Sequence, residues 1–496
     1  MAAIPVTPMP ANPISASPMS ATQRKITIEP VTRIEGHAKV TLVLDEAGKV
    51  ESARLHVNEI RGFEKFSEGR LYFEMPAITP RICGICPVSH HLASVKACDA
   101  VAGVTPPRTA SLLRELLHMG QFVQSHAMHF FHLAAPDLLL GMDSDPATRN
   151  VLGLVAANPE LALKAVWLRK YGQEIISHVG GRRIHPNAAV VGGVNEPLSA
   201  EGRDAIAAGI DQATSYMLLG IDIIRGYLSA NRALAEGFAR FSSGYMGLVD
   251  AEGKLALYDG AIRLVDSTGK TVLDQHPPAD YLSIIAEHVE PWSYLKFPYY
   301  KPWGYPAGAY RVGPLGRLNA VDGIGTPLAN AEFARFRALG NGKPVEGSLY
   351  YHYARMIEGL YAVERVEQLI RDPEICGDEI RVEPPATLNR EGVGVVEAPR
   401  GTLIHHYEIS PDGRLTGVNL IVSTGFNNTA MNRAVELVAR EYVDGNTLRE
   451  GMLNRVEAAI RCYDPCLSCS THAIGQMPLV IELRDSTGVL DRVCRE

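Results

Sequence analysis

No uncharged apolar run in this chain reaches the roughly eighteen positions that a membrane-spanning helix needs. The first residues, MAAIPVTPMPANPISASPMS, lack both the basic start and the continuous apolar stretch of a secretory signal. Their Pro, Ala, Ser and Met content points instead to a disordered tail over residues 1–23. A strong charge excess is missing too. The formal net charge is −7, which speaks against nucleic acid or an anionic membrane as the main partner. There is no internal repeat of fixed period and no G-x-G-x-x-G following a strand, so the chain carries no dinucleotide fingerprint of its own. Cysteine is sparse as well. Eight in 496 residues are too few for a disulfide scaffold, and a reducing cytosol fits.

What is there is concentrated. Four of the eight cysteines form two C-x-x-C pairs, Cys83 and Cys86 in RICGICPVSHH (81–91) and Cys466 and Cys469 in DPCLSCSTH (464–472). Structural zinc is the plain reading, with four thiolates in a tetrahedron. Zinc ribbons, however, usually space their pairs about 12 to 20 residues apart. Here almost the whole chain separates them, and a local staple loses its purpose beside an extensive core. A thioredoxin-like site needs only one pair. The alternative is a soft, electron-rich transition-metal or cluster site, suited to nickel, iron or copper(I). CGIC precedes a helical pattern after Pro87, whose N-terminus favours thiolates. His90 lies four residues past Cys86, within reach to hydrogen-bond a thiolate. Cys98, Cys376, Cys462 and Cys494 are scattered and offer no second cluster motif. A redox site here must therefore pass its electrons through another polypeptide.

The patterning predicts a mainly α fold with small antiparallel β-sheets. Alternation around an Asp-Glu-Ala-Gly turn predicts a small sheet over 26–58, and residues 242–275 and 392–424 alternate likewise. Helical spacing covers 109–134, 158–179, 199–235, 328–341, 345–371, 427–441 and 446–462, and the first two segments are apolar over wide faces. No linker splits the chain, so the expected organisation is one large helical domain with small sheets at its edges. His118, His126, His129 and His132 on the 109–134 helix read as satisfied core histidines, since no Cys or carboxylate partners them at ligand spacing.

The motifs R-x-C-G-x-C-x-x-x-H (Arg81–His90) and D-P-C-x-x-C-x-x-H (Asp464–His472), with EPVTRIEGH, RGFEKF, YRVGPLGRLN and EAPRGTLIHHY, resemble the large subunit of [NiFe] hydrogenases. The resemblance runs from about residue 24 to the C-terminus, with the hydrogenase domain over 24–472. WSYLKFPYYKPWGYPAGAYRVGPLGRLN and GFNNTAMNR resemble the cytoplasmic, bidirectional NAD(P)-linked type. It implies the large-subunit helical core and reversible heterolytic cleavage of H2. It also implies a nickel–iron centre with cyanide and carbon monoxide on iron, Cys83 and Cys466 terminal on nickel and Cys86 and Cys469 bridging. By the same resemblance Glu35 relays protons from Cys466, while Arg400, framed by Pro399 and Asp464, hydrogen-bonds a cyanide and polarises substrate. Thr424 donates to the other cyanide, although its block departs from the common V-P-[ST] pattern. Read alone, Glu35 is an ordinary salt bridge with Arg33 and Glu64 a surface charge; by resemblance Glu64, the Leu420 carbonyl and His472 hold magnesium. Ser125 stands where many relatives carry Asp, which leaves that carboxylate's part in proton or arginine anchoring unfilled. Residues 473–496 correspond to a maturation peptide removed by an endopeptidase after His472. The implied partners are an iron–sulfur small subunit and flavin/NAD(P)-binding diaphorase subunits. Other readings are coupling to ferredoxin or a deazaflavin, a hydrogen sensor, and a complex I-like quinone-site subunit, the last opposed by the four cysteines.

Overall fold

The computed structural model describes residues 24–57 and 59–470, and the backbone of strands Leu479–Asp485 and Gly488–Arg495, which pair as a hairpin. The expectations for residues 1–23 and for His472 lie outside the described residues.

A small antiparallel sheet opens the chain: β1 (Lys25–Ile28), β2 (Lys39–Leu44) and β3 (Val50–His56), in that order, with Ile28 opposite Val40 and Lys39 opposite His56. Next comes α1 (Pro87–Ala102), started by Pro87 and stopped by Gly103 in a left-handed turn. It is buried almost all round. The apolar 109–134 segment is α2 (Arg108–Met128), which continues through one wide π-helical turn, His129–Ala134. Beside it run α3 (Pro159–Gly180) and α4 (Ile210–Ala230). The 199–235 pattern is three helices rather than one, because the chain breaks at Gly209 and Asn231.

Strands β4 (Gly244–Val249), β5 (Ala261–Val265) and β6 (Thr271–His276) pair antiparallel, and the short Tyr310–Arg311 segment adds to β4 in parallel, so this sheet is mixed. Helices α5 (Gly313–Ala320) and α6 (Tyr350–Ile370) follow. Strands β7 (Glu391–Ala398), β8 (Gly401–Ile409) and β9 (Leu415–Ile421) form an antiparallel sheet, and α7 (Asn428–Tyr442) and α8 (Glu450–Cys462) come after it.

Contrary to the expectation from the sequence, the sheets are not all peripheral. Every residue of β4 and all but one of β8 are buried; β4 is apolar on both faces, while β8 buries Thr402, His405 and His406 among its apolar residues. The reason is that β7 lies directly on α1. A Cβ on Gly394 would sit 2.0 Å from the Ala93 carbonyl and 2.4 Å from the Ala97 amide, so only glycine allows this approach. The largest apolar cluster gathers α2, α3, α4, α6, α7 and α8; a second, around α1 and β7–β9, contains all four paired cysteines.

Candidate metal centre

The fold brings four sulfurs to one point. Cys83 ends a short helical turn in extended backbone, and Cys86 caps the N-terminus of α1. Two glutamines of α2 grip the intervening loop: Gln121 Nε2 and Gln124 Nε2 donate to the Ile85 carbonyl at 2.6 and 2.7 Å, and Val88 N donates to Gln121 Oε1 at 3.3 Å. The second pair follows α8 directly. There Leu467 N donates to the Glu35 carbonyl at 3.1 Å and Glu35 pairs with Cys466 as an isolated parallel bridge. Gly36, at φ 85°, makes that approach possible, since a Cβ there would meet Leu467 Cβ at 2.8 Å.

Cys83 Sγ lies 3.2 Å from Cys466 Sγ, Cys86 Sγ 3.2 Å from Cys469 Sγ, and Cys466 Sγ 2.8 Å from Cys469 Sγ. All four are buried, and their sulfurs all lie within 4.8 Å of one another. Burial pushes the Cys466 and Cys469 thiols up, while hydrogen bonds from its neighbours hold Cys83 well below the usual thiol range. Four thiols in so dry a place cannot all ionise without a cation among them. The donor set fits a soft metal centre.

Arg400 reaches the same point from the two-residue turn between β7 and β8, where Ala398 pairs with Gly401. Its Nε donates to the Asp464 carbonyl at 2.6 Å and its Nη2 to Asp464 Oδ1 at 3.1 Å. Nη1 is buried with no hydrogen-bond partner among the described residues. Burial alone would lower this guanidinium's pKa, but Asp464 and the thiols hold it well above the ordinary value. An orphaned cationic donor facing thiolates fits an anionic ligand there. The anchoring left open by Ser125 therefore falls to Asp464; Ser125 itself is buried, its hydroxyl unpartnered among the described residues. Pro399, at the turn, accepts from Arg317 at 3.2 Å.

Glu35 is not paired with Arg33. Arg33 turns to Asp137 and the Leu133 carbonyl, while Glu35 Oε2 accepts from the Cys466 thiol at 3.0 Å and from Ser468 N at 3.0 Å. Thr424 Oγ1 accepts from Cys466 N at 2.9 Å. His90 Nδ1 lies 3.1 Å from His405 Nε2; burial lowers its pKa to about 4, opposed by the charge of Cys83. Glu64 is partly buried rather than a free surface charge, and its Oε1 accepts from Leu420 N at 2.8 Å. Burial raises its pKa, with Lys296 opposing. The bond shown at Leu420 is thus made by its amide.

Three of the four helix histidines, His118, His126 and His129, are core residues. His118 Nε2 contacts the Glu397 carbonyl at 2.7 Å, His126 Nε2 lies 3.1 Å from Glu358, and His129 Nε2 is 2.8 Å from the Arg461 carbonyl. His132 is partly buried and depressed in pKa, first by burial. Sequence reasoning missed Gln121 and Gln124, though polar residues three apart inside a buried apolar helix were a visible sign. It also missed His405, which lies within the EAPRGTLIHHY block but was given no role there. Surface clefts of about 610 and 520 Å³ hold none of these residues; the centre is enclosed rather than an open pocket.

The family described as nickel-dependent hydrogenase matches residues 61–148 and 246–472, and a HoxL-like family matches 25–60. The NAD-reducing hydrogenase HoxS subunit β of Cupriavidus necator is 45% identical over 483 residues, 94% of this chain and 98% of that one. One subunit of the F420-non-reducing hydrogenase vhc of Methanococcus voltae is 44% identical over 471 residues, 94% and 98% of the respective chains. A crystal structure of NAD+-reducing [NiFe]-hydrogenase in the H2-reduced state superposes with TM-score 0.88 at 46% identity, covering 90% of this chain and 99% of that one. The [NiFeSe] hydrogenase of D. vulgaris Hildenborough gives 0.74 at 26% identity, covering 91% and 100%. With these matches and the four buried thiols that converge at one point, this chain belongs to the nickel-dependent hydrogenases, as a large, catalytic subunit.

Proposed function

We propose that this hydrogenase subunit works in an NAD(P)-linked complex, passing electrons to an iron–sulfur small subunit and on to flavin- and NAD(P)-binding diaphorase subunits. The observation that carries the site reading is the buried set Cys83, Cys86, Cys466 and Cys469 beneath the unpartnered Nη1 of Arg400. When bound there, a nickel–iron pair with cyanide and carbon monoxide ligands supplies the Lewis acidity and redox capacity to split H2.

The chain's own residues then have distinct tasks. Cys83 and Cys466 would hold nickel, and Cys86 and Cys469 would hold both nickel and iron. Glu35 receives the proton from the Cys466 sulfur, 3.0 Å away, and being only half-buried it can hand it outward. Arg400 would donate from Nη1 to a cyanide and polarise substrate, a planar, permanently charged role that lysine cannot copy. Asp464 and Pro399 hold that guanidinium in place. Thr424 Oγ1 accepts the Cys466 amide, which leaves its own hydroxyl proton free, and it would donate that proton to the other cyanide. His90, against His405, lends its ring to the Cys83 side. Glu64 and the Leu420 carbonyl, with His472, hold a magnesium ion, and an endopeptidase removes residues 473–496 once the metals are in. No helix among the described residues is long and apolar enough to cross a membrane; a cytoplasmic location goes with this reading.

A second acceptor is favoured by one observation. Identity to the F420-non-reducing M. voltae subunit is nearly that to the NAD-reducing one. The test uses the chain purified with its natural partners. Nickel and iron at about one each at this site, carbon monoxide and cyanide infrared bands, and H2-dependent reduction of NAD+ or NADP+ are expected. Zinc alone without those bands overturns the site reading. Bands with no nicotinamide reduction overturn the NAD(P) coupling and leave the ferredoxin acceptor, since the M. voltae relative is named as not reducing F420, which is itself a deazaflavin.

A further inference from the structure

Arg400 stands on a two-residue turn, and nothing in that turn alone fixes its height. We propose that Arg317 is a positioning residue for H2 cleavage, setting the place of the Arg400 guanidinium above the four sulfurs by holding the backbone of Ala398 and Pro399. Arg317, on α5, lies wholly inside the protein, 0% exposed, as do its partners Glu358 and Glu397. Its Nε and Nη2 each donate to Glu358 at 2.6 Å, and Nη1 donates to Glu397 Oε2 at 2.6 Å. The two remaining N–H groups go to the turn, Nη1 to the Ala398 carbonyl at 2.9 Å and Nη2 to the Pro399 carbonyl at 3.2 Å. All five donors are used, two of them on the residues immediately before Arg400.

The carboxylates are tied down in turn. Glu397 accepts from Leu248 N at 3.1 Å and Thr402 Oγ1 at 2.8 Å, and Glu358 faces His126 of α2 at 3.1 Å. The N-terminus of α5 touches the other side of the turn, where a Cβ on Gly313 would lie 2.7 Å from the Arg400 carbonyl. Three elements, α2, α5 and α6, thus converge on one hairpin turn through a single guanidinium. A pair of carboxylates needs only a cation for compensation; the fork to both carbonyls is what compensation alone does not require.

This inference rests on the cyanide-bearing reading of the site. Arg317→Lys keeps the charge but has three donors for five acceptors. In the matured complex it is expected to keep nickel and iron content while shifting a cyanide infrared band and lowering H2 turnover about ten- to a hundredfold, as a displaced catalytic group does. Unmoved bands and rate in a loaded Arg317→Lys enzyme overturn the inference alone. Absence of cyanide bands from the wild-type complex overturns the cyanide reading and this inference with it. If Arg317→Lys takes up no metal, the neutral triple variant Arg317→Met, Glu358→Gln, Glu397→Gln removes the fork without stranding a charge; displaced bands support the inference and unmoved bands overturn it.

Discussion

At the scale of the residue, the division of labour around Cys466 can be separated by substitution. Glu35 accepts the Cys466 thiol and touches no other sulfur among the bonds described. Glu35→Gln keeps a polar acceptor of the same shape but cannot take up a proton. H2 turnover should fall about a hundredfold or more, while nickel content and infrared bands of the purified complex stay as in wild type. Loss of metal in this variant would make Glu35 a structural prop instead. The sequence showed this residue only through its motif. By local chemistry Glu35 belonged with Arg33, two residues away, and the structure shows why that fails: Arg33 is drawn into a buried group with Asp137, Asn454 and Arg461 from distant segments. The cysteines were legible because their spacing is itself the chemistry. Gln121, Gln124 and His405 were not, because their partners are backbone carbonyls and rings placed by tertiary packing.

Among the elements, the helices were read to within a few residues because apolar periodicity records burial directly, as in α2 and α3. The breaks at Gly209 and Asn231 were not, since capping geometry leaves only a faint trace inside a continuous pattern. Expecting the sheets at the edges failed for a related reason: β8 is buried at all but one residue because α1 lies on one of its faces and the β4–β5 sheet on the other. The α1–β7 contact carries the first cysteine pair and the Arg400 turn on one rigid unit. Gly394→Ala should therefore destabilise the chain by about 1–3 kcal/mol or more, since the backbone atoms it meets have no room to retreat. Gly226→Ala, in α4 with open space around it, should be neutral or stabilising by under about 1 kcal/mol. Thermal unfolding of the two variants side by side checks the contrast; equal melting temperatures would mean that the strand and helix can part without cost.

For the whole molecule, burial of so many neutral imidazoles makes folding sensitive to acid. His90, His91, His118 and His126 are depressed to about 4 and His352 to about 3, each first by burial. The unfolded chain takes protons near 6.5, where the folded chain refuses them until about 4. Stability is thus fully present above pH 6.5 and is lost as pH falls through that window, by up to about 3 kcal/mol per ring. The melting temperature of the metal-free chain should drop steadily from pH 6.5 to 4, and His118→Asn should make the slope shallower. A flat profile would mean that these rings titrate freely.

The pairing of Glu35 with Cys466 also has a consequence for synthesis. The first cysteine pair leaves the ribosome some 380 residues ahead of the second. At translation rates of about 5–20 residues per second, that is a delay of roughly twenty to eighty seconds. Throughout it, the nascent polypeptide presents two thiols that have no companions, and for about the first 305 residues of it (391 − 86) the covering strand β7 is missing as well. No bimetallic centre can close in that interval. Assembly must wait for the release of the finished chain, and a companion that shields or preloads the early pair has about a minute in which to act.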